Sequence, residues 1–221
     1  MAGEDRREAV RDQIERAFVH APYPGDAYLL GSLDGTEPEV EVGPFRGHRD
    51  WRELSADFLD AHAAALSFFS EGALRFFLPA FLRADLDEAL DRADPVFTLT
   101  HGFVDRSIEL PVAGRGVRRD IGRTALVNPV RYGAIRAEDV ARMRLAVFCR
   151  EEAQAIVRYL GWLRVARGDG VDGEAIGAAL ERFWFARAHV APTAADLGAH
   201  QEALQAYLQV AHDVGGDERS E

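Results

Sequence analysis

The sequence predicts a mainly α protein, a compact helical domain of six to eight helices with a small β-hairpin or strand element. Two observations carry this. The first is Leu66–Leu82, the most apolar run of the chain, which holds five phenylalanines and four leucines. From Ala73 its apolar positions cover nearly the full circumference of a helix, the pattern of a helix enclosed by others. The second is a series of one-sided apolar stripes at helical spacing, separated by turns rich in Gly, Pro and Asp.

The stripes define the elements in order. Val10, Ile14, Ala17 and Phe18 place a helix over about 4–20, ended by the rigid turn Ala21-Pro-Tyr-Pro-Gly-Asp26. Residues 28–42 read as loop, with short strands at 27–30 and 39–42. Ser55 is an N-cap for a helix to Phe68, with Phe58, Leu59, His62, Ala65 and Leu66 on one face. Ser70 caps the central helix and Glu71 favours its positive end. Pro79 predicts a kink or a break there. The continuation Arg83–Asp91 turns amphipathic and is expected to reach solvent.

Alternation over Asp94–Thr100 predicts a strand, paired as a hairpin with 103–110 through His101-Gly102. Residues 111–136 form an Arg/Gly-rich surface excursion with six arginines against one acid, Asp120. Helices return over 137–148, 150–167, 172–188 (capped by Asp172) and from Thr193, where Asp196 occupies the capping-box position. The last helix carries Leu197, Leu204, Leu208 and Ala211 as its stripe. The chain reads as one domain over 1–213, with a disordered tail at 214–221.

Composition excludes several chemistries. All 26 basic residues are arginine, the usage of a GC-rich bacterial genome, so Schiff-base and Walker-type lysines are absent. The formal net charge of −11 argues against nucleic acid and anionic membranes and allows a protein partner with a basic surface. The arginine-rich excursion is expected to neutralise the acidic body rather than bind RNA, since Tyr132 is its one aromatic. Glu71, Arg75 and Pro79 interrupt the apolar run and argue against a membrane span. The first residues lack a signal peptide's apolar segment, so a cytoplasmic location is expected. No cofactor or metal site is expected: Cys149 is the single cysteine, and the histidines lack diagnostic spacing. Cys149 reads as a buried helix cap, and His62 as a core histidine.

Four stretches resemble a family of bacterial proteins grouped only as a domain of unknown function. They are Pro22-Tyr-Pro-Gly-Asp26; Phe45-Arg-Gly with Asp50-Trp51-Arg-Glu-Leu54; Ala65-Leu-Ser-Phe-Phe-Ser70 with Ala73–Leu82; and Phe148-Cys-Arg-Glu-Glu-Ala with Ile156–Leu160 and Ala179–Trp184. The chain departs from the family at Gly72, where a proline or similar helix-start residue is usual, and in its arginine-rich excursion. The resemblance implies no activity.

One polar cluster is the candidate site: Asp26, His48, Asp50, Trp51 and Arg75, converging over the central helix. Trp51 would pack on the phenylalanines, and Asp26 or Asp50 would pair with Arg75 if that guanidinium does not snorkel to solvent. Two functions fit. The first is a non-enzymatic interaction or regulatory protein, of immunity type for example, using an acidic surface. The alternative is a hydrolase-like enzyme working through Asp26, His48, Asp50 and Arg75.

Overall fold

Val10, Ile14 and Phe18 form the buried face of α1 (Ala2–Phe18) in this computed structural model. It describes residues 2–32, 34–104, 106–112, 115–122, 126–168 and 170–217. The protein is mainly helical, with α2 (Glu37–Val42), α3 (Ala56–Ala61), α4 (Ala65–Phe68), α5 (Glu71–Leu86), α6 (Pro95–Thr100), α7 (Pro129–Tyr132), α8 (Ala137–Leu145), α9 (Arg150–Arg167), α10 (Val171–Ala179), α11 (Phe185–Val190) and α12 (Ala194–Asp217). The strands β1 (Arg106–Val112) and β2 (Arg115–Gly122) pair antiparallel.

Ser70 starts α5 as the sequence predicts. Its hydroxyl accepts from the Ala73 amide at 3.1 Å and donates to the Tyr28 carbonyl at 2.6 Å, so one side chain caps the helix and fastens a loop. Beside it, the Ser70 amide donates to Leu29 O, and the Gly31 amide to Phe68 O. A side chain at Gly31 would sit 2.5 Å from the Phe69 carbonyl, so only glycine permits this close approach. Pro79 does not break α5. Every residue from Phe76 to Leu82 is buried, and packing on all sides holds the helix together through the missing hydrogen bond.

Phe45, fully buried, fixes the loop region to α5. Its ring meets Phe58, Phe69 and Phe77 edge-on at 4.9–5.0 Å and stacks near Phe81. α5 packs against α1, α3 and α6, and α9 against α1, α10 and α11. Phe18 near the end of α1 meets Phe148 just before α9, while the start of α1 lies beside residues 158–166. The two helices are therefore antiparallel.

Several expectations are corrected. Asp94–Thr100 is helix rather than strand: Asp94 Oδ1 accepts the Phe97 amide at 2.7 Å, Pro95 sits in the first turn, and Thr100 Oγ1 donates to Val96 O at 2.8 Å. Local capping outweighs the β-branched alternation, and the strand pair lies downstream at 106–122. Residues 26–28 form a 3-10 turn and 37–42 is helix, so the short strands expected there reduce to an isolated bridge of Leu30 with Phe69. The helix expected over 55–68 divides at His62, which leaves helical geometry as its ring packs 5.0 Å from Phe58.

The helix expected through residue 188 carries a π-turn at Leu180–Trp184. That turn buries Phe183 on Phe103 and aims Trp184 Nε1 at Leu99 O, 2.9 Å away. Gly170 rather than Asp172 stands at the N-cap of α10. α8 ends at Leu145, short of Phe148. These divisions give more helical segments than the six to eight expected. Past Pro79 the helix does not turn outward, and Asp85 is buried. At the C-terminus α12 is helical through Asp217, and residues 218–221 of the expected tail lie outside the described residues.

Replacing Phe45 by Ala removes the ring that joins three elements. The expected loss is about 3–5 kcal/mol of unfolding free energy, read from urea denaturation.

Candidate functional site

The sequence places five residues in one cluster, and the structure brings only part of it together. Asp26 does meet the 46–51 segment. Its Oδ1 accepts the Gly47 amide at 2.8 Å and the Tyr23 hydroxyl, and both bonds hold its carboxyl below the usual carboxylate range. The Arg49 guanidinium lies 5.9 Å over the Tyr23 ring. Asp50 turns to its own neighbour: Oδ1 and Oδ2 take Nε and the terminal nitrogen of Arg52 at 2.8 and 2.7 Å. His48 packs on Phe58 at 5.2 Å. Trp51 is buried, with Arg83 5.7 Å above its ring.

Arg75 is the correction. It pairs with neither Asp26 nor Asp50, and it does not snorkel. Its Nε donates to both oxygens of Glu152 at 2.9 Å, with side-chain exposures of 15% and 1%. Asp26 and Asp50 are satisfied by other partners, and Arg75 is the cation paired with the enclosed Glu152 carboxylate. Glu152 also caps α9: its Oε2 accepts the Cys149 amide at 2.8 Å in a capping box with Cys149. Burial pushes its carboxyl above the usual range, against the pull of Arg75 and the Cys149 amide.

Cys149 is 1% exposed, and burial pushes its thiol up to about 11. A thiol so held stays protonated at neutral pH and is a poor nucleophile. Among the described residues no group of three His, Cys, Asp or Glu is arranged to hold a metal ion. No helix among them is long and apolar enough to cross a membrane.

Two concave regions stand out among the described residues. A cavity of about 430 Å³ lies between α4, α6 and α8, with Arg144 in its wall. That guanidinium donates to the Leu66 carbonyl, and burial lowers its pKa. The larger, about 860 Å³, is a groove between α1 and α9. Val10 lines it from α1. From α9 come Arg158, Gly161, Trp162 and Val165, spaced as one helical face. Val165 is 78% exposed, and a side chain at Gly161 would meet nothing. Arg6, Arg7 and Arg158 line the groove with one acid, Glu4. Neither concavity includes any of the five residues of the candidate cluster.

No protein-family model matches this chain, nor does any curated protein or solved structure. The groove had a signal in the sequence. Trp162 and Val165 fall off the α9 stripe formed by Ala153, Ile156, Val157, Leu160 and Leu163, so they mark a second apolar face. The Arg75–Glu152 pair, 77 residues apart, had none beyond the capping position of Glu152.

Two measurements check this geometry. Arg75→Met leaves a buried carboxylate unpaired and is expected to lose about 3–5 kcal/mol of stability. Adding Glu152→Gln, which keeps the helix cap, is expected to recover most of that loss. Alkylation of native Cys149 is expected to rise with pH around a midpoint of about 11, and to be fast at neutral pH only in denaturant. A native midpoint in the ordinary thiol range contradicts the buried placement.

Proposed function

We propose that this chain is a non-enzymatic interaction or regulatory protein that works in the cytoplasm, and that its docking site is the groove between α1 and α9. The open groove with Trp162 and Val165 on its face carries this reading. Solvated apolar surface of this kind, rimmed by charge, suits a protein partner. Helical spacing on both walls suits an amphipathic segment read by anchors at i, i+3, i+4 and i+7. Arg6, Arg7 and Arg158 favour acidic flanks on that segment. The partner with a basic surface expected from the net charge would meet the acidic remainder of the molecule instead.

The same reading accounts for the polar residues first grouped as a site. Asp26 and Asp50 fasten loops, and Arg75 and Glu152 join helices. The stretches that resemble the bacterial family fall on this framework, including α5 and the start of α9.

The test is affinity capture from native lysate with wild-type bait and with Val165→Glu, a change at an exposed position. Wild type is expected to retain a stoichiometric species, another protein or further copies of this chain, which the variant loses. Equal retention by both baits, or none by either, overturns the reading.

A further inference from the structure

Among the described residues, α12 packs extensively against no other element. Its start is tied down: the Arg150 amide donates to Pro192 O and Arg150 Nε to Ala191 O, both at 2.9–3.0 Å, and Glu151 Oε2 accepts the Ala194 amide. Thr193 and Asp196 complete the capping box. Beyond that turn, every residue from Ala199 to Tyr207 is exposed, Leu204 at 48% and Tyr207 at 70%. Among the described residues no hydrogen bond or ion pair joins α12 past Asp196 to another element. Most helical stability in proteins comes from packing an apolar face, so a helix of 24 residues with an uncovered one calls for a cover.

The groove and the helix are complementary in charge as well as polarity. α12 contains four acids, Asp196, Glu202, Asp213 and Asp217, and no arginine. The groove offers three arginines against Glu4 around an apolar floor. The chain's own α12 is held by its hydrogen bonds at the opposite end of α9 from the groove, with residues 199–207 exposed. A second copy reaches the groove without disturbing those bonds.

Resting on the groove reading above, we infer that two copies of this chain exchange α12, each helix lying in the α1/α9 groove of the other. Leu204 and Tyr207 enter beside Trp162 and Val165, and the helix acids face Arg6, Arg7 and Arg158. The arrangement is isologous and closes at two copies.

Light scattering on the full chain, after size-exclusion chromatography, tests this with two variants at exposed positions. One is Val165→Glu in the groove; the other is Leu204→Glu/Tyr207→Glu on the helix. Wild type is expected at twice the chain mass, with a melting temperature that rises with protein concentration, and each variant at the chain mass with a cooperative transition that does not depend on concentration. Mixed together, the variants are expected to form a heterodimer, because the intact helix of the first fits the intact groove of the second. A monomeric wild type overturns the inference, as does a mixture that stays monomeric. A dimeric Val165→Glu overturns it too, because the helices then pair with each other. A monomeric wild type whose capture experiment still yields a groove-dependent protein leaves the groove reading standing and removes only the exchange.

Discussion

The ion pair between Arg75 and Glu152 joins the two helices on which the rest of the structure is hung. α5 gathers the elements of the first half and α9 those of the second, with α1 packed on both. Arg75 sits on a helix that is otherwise apolar along that stretch, and Glu152 is almost fully enclosed. A second link lies further along both helices: Asp85 accepts the Tyr159 hydroxyl and an Arg167 nitrogen, the latter at 2.8 Å. Both links advance along each chain in the same sense, so α5 and α9 run parallel and are pinned at two points. Burying these charges is unfavourable in itself. What the pairs contribute is register: a one-turn slide would leave carboxylates unpaired inside the protein, a penalty that apolar packing alone would not impose.

Arginine does a second job in a chain without lysine. Arg187 donates to the Phe148 and Ala146 carbonyls, Arg182 to Phe103 O, Arg144 to Leu66 O and Arg142 to Arg182 O. Helix ends leave backbone carbonyls without intrahelical donors, and short helices expose many of them. A guanidinium carries five donors in a planar fork and reaches such carbonyls across element boundaries. That helps explain how a fold with so many short helices satisfies its backbone. In the arginine-rich excursion Arg131 pairs instead with a side chain, the Asp34 carboxylate.

Local chemistry was legible in the sequence where the cause lies within a few residues. The caps at Ser55, Ser70 and Thr193, the bounds of α9 and the enclosure of α5 follow from side chains three or four positions apart. Asp94–Thr100 was misread because its alternation mimics a strand, while the Asp94 cap and Pro95 decide for helix. The candidate cluster was half legible. Asp26 and the 46–51 segment meet through the Gly47 amide. Arg75 belongs elsewhere, because partner choice for a buried charge depends on which carboxylate is enclosed with it.

By itself the sequence determined that the protein is mainly helical, that 66–82 is its core, and that Cys149 is a buried cap. These follow from periodicity, burial propensity and short-range capping. Only the tertiary structure decided that Arg75 meets Glu152, that Pro79 lies within an unbroken helix, and that α1 and α9 leave an open groove. Each depends on residues far apart in the chain being enclosed together, and enclosure is a property of packing that no local pattern encodes.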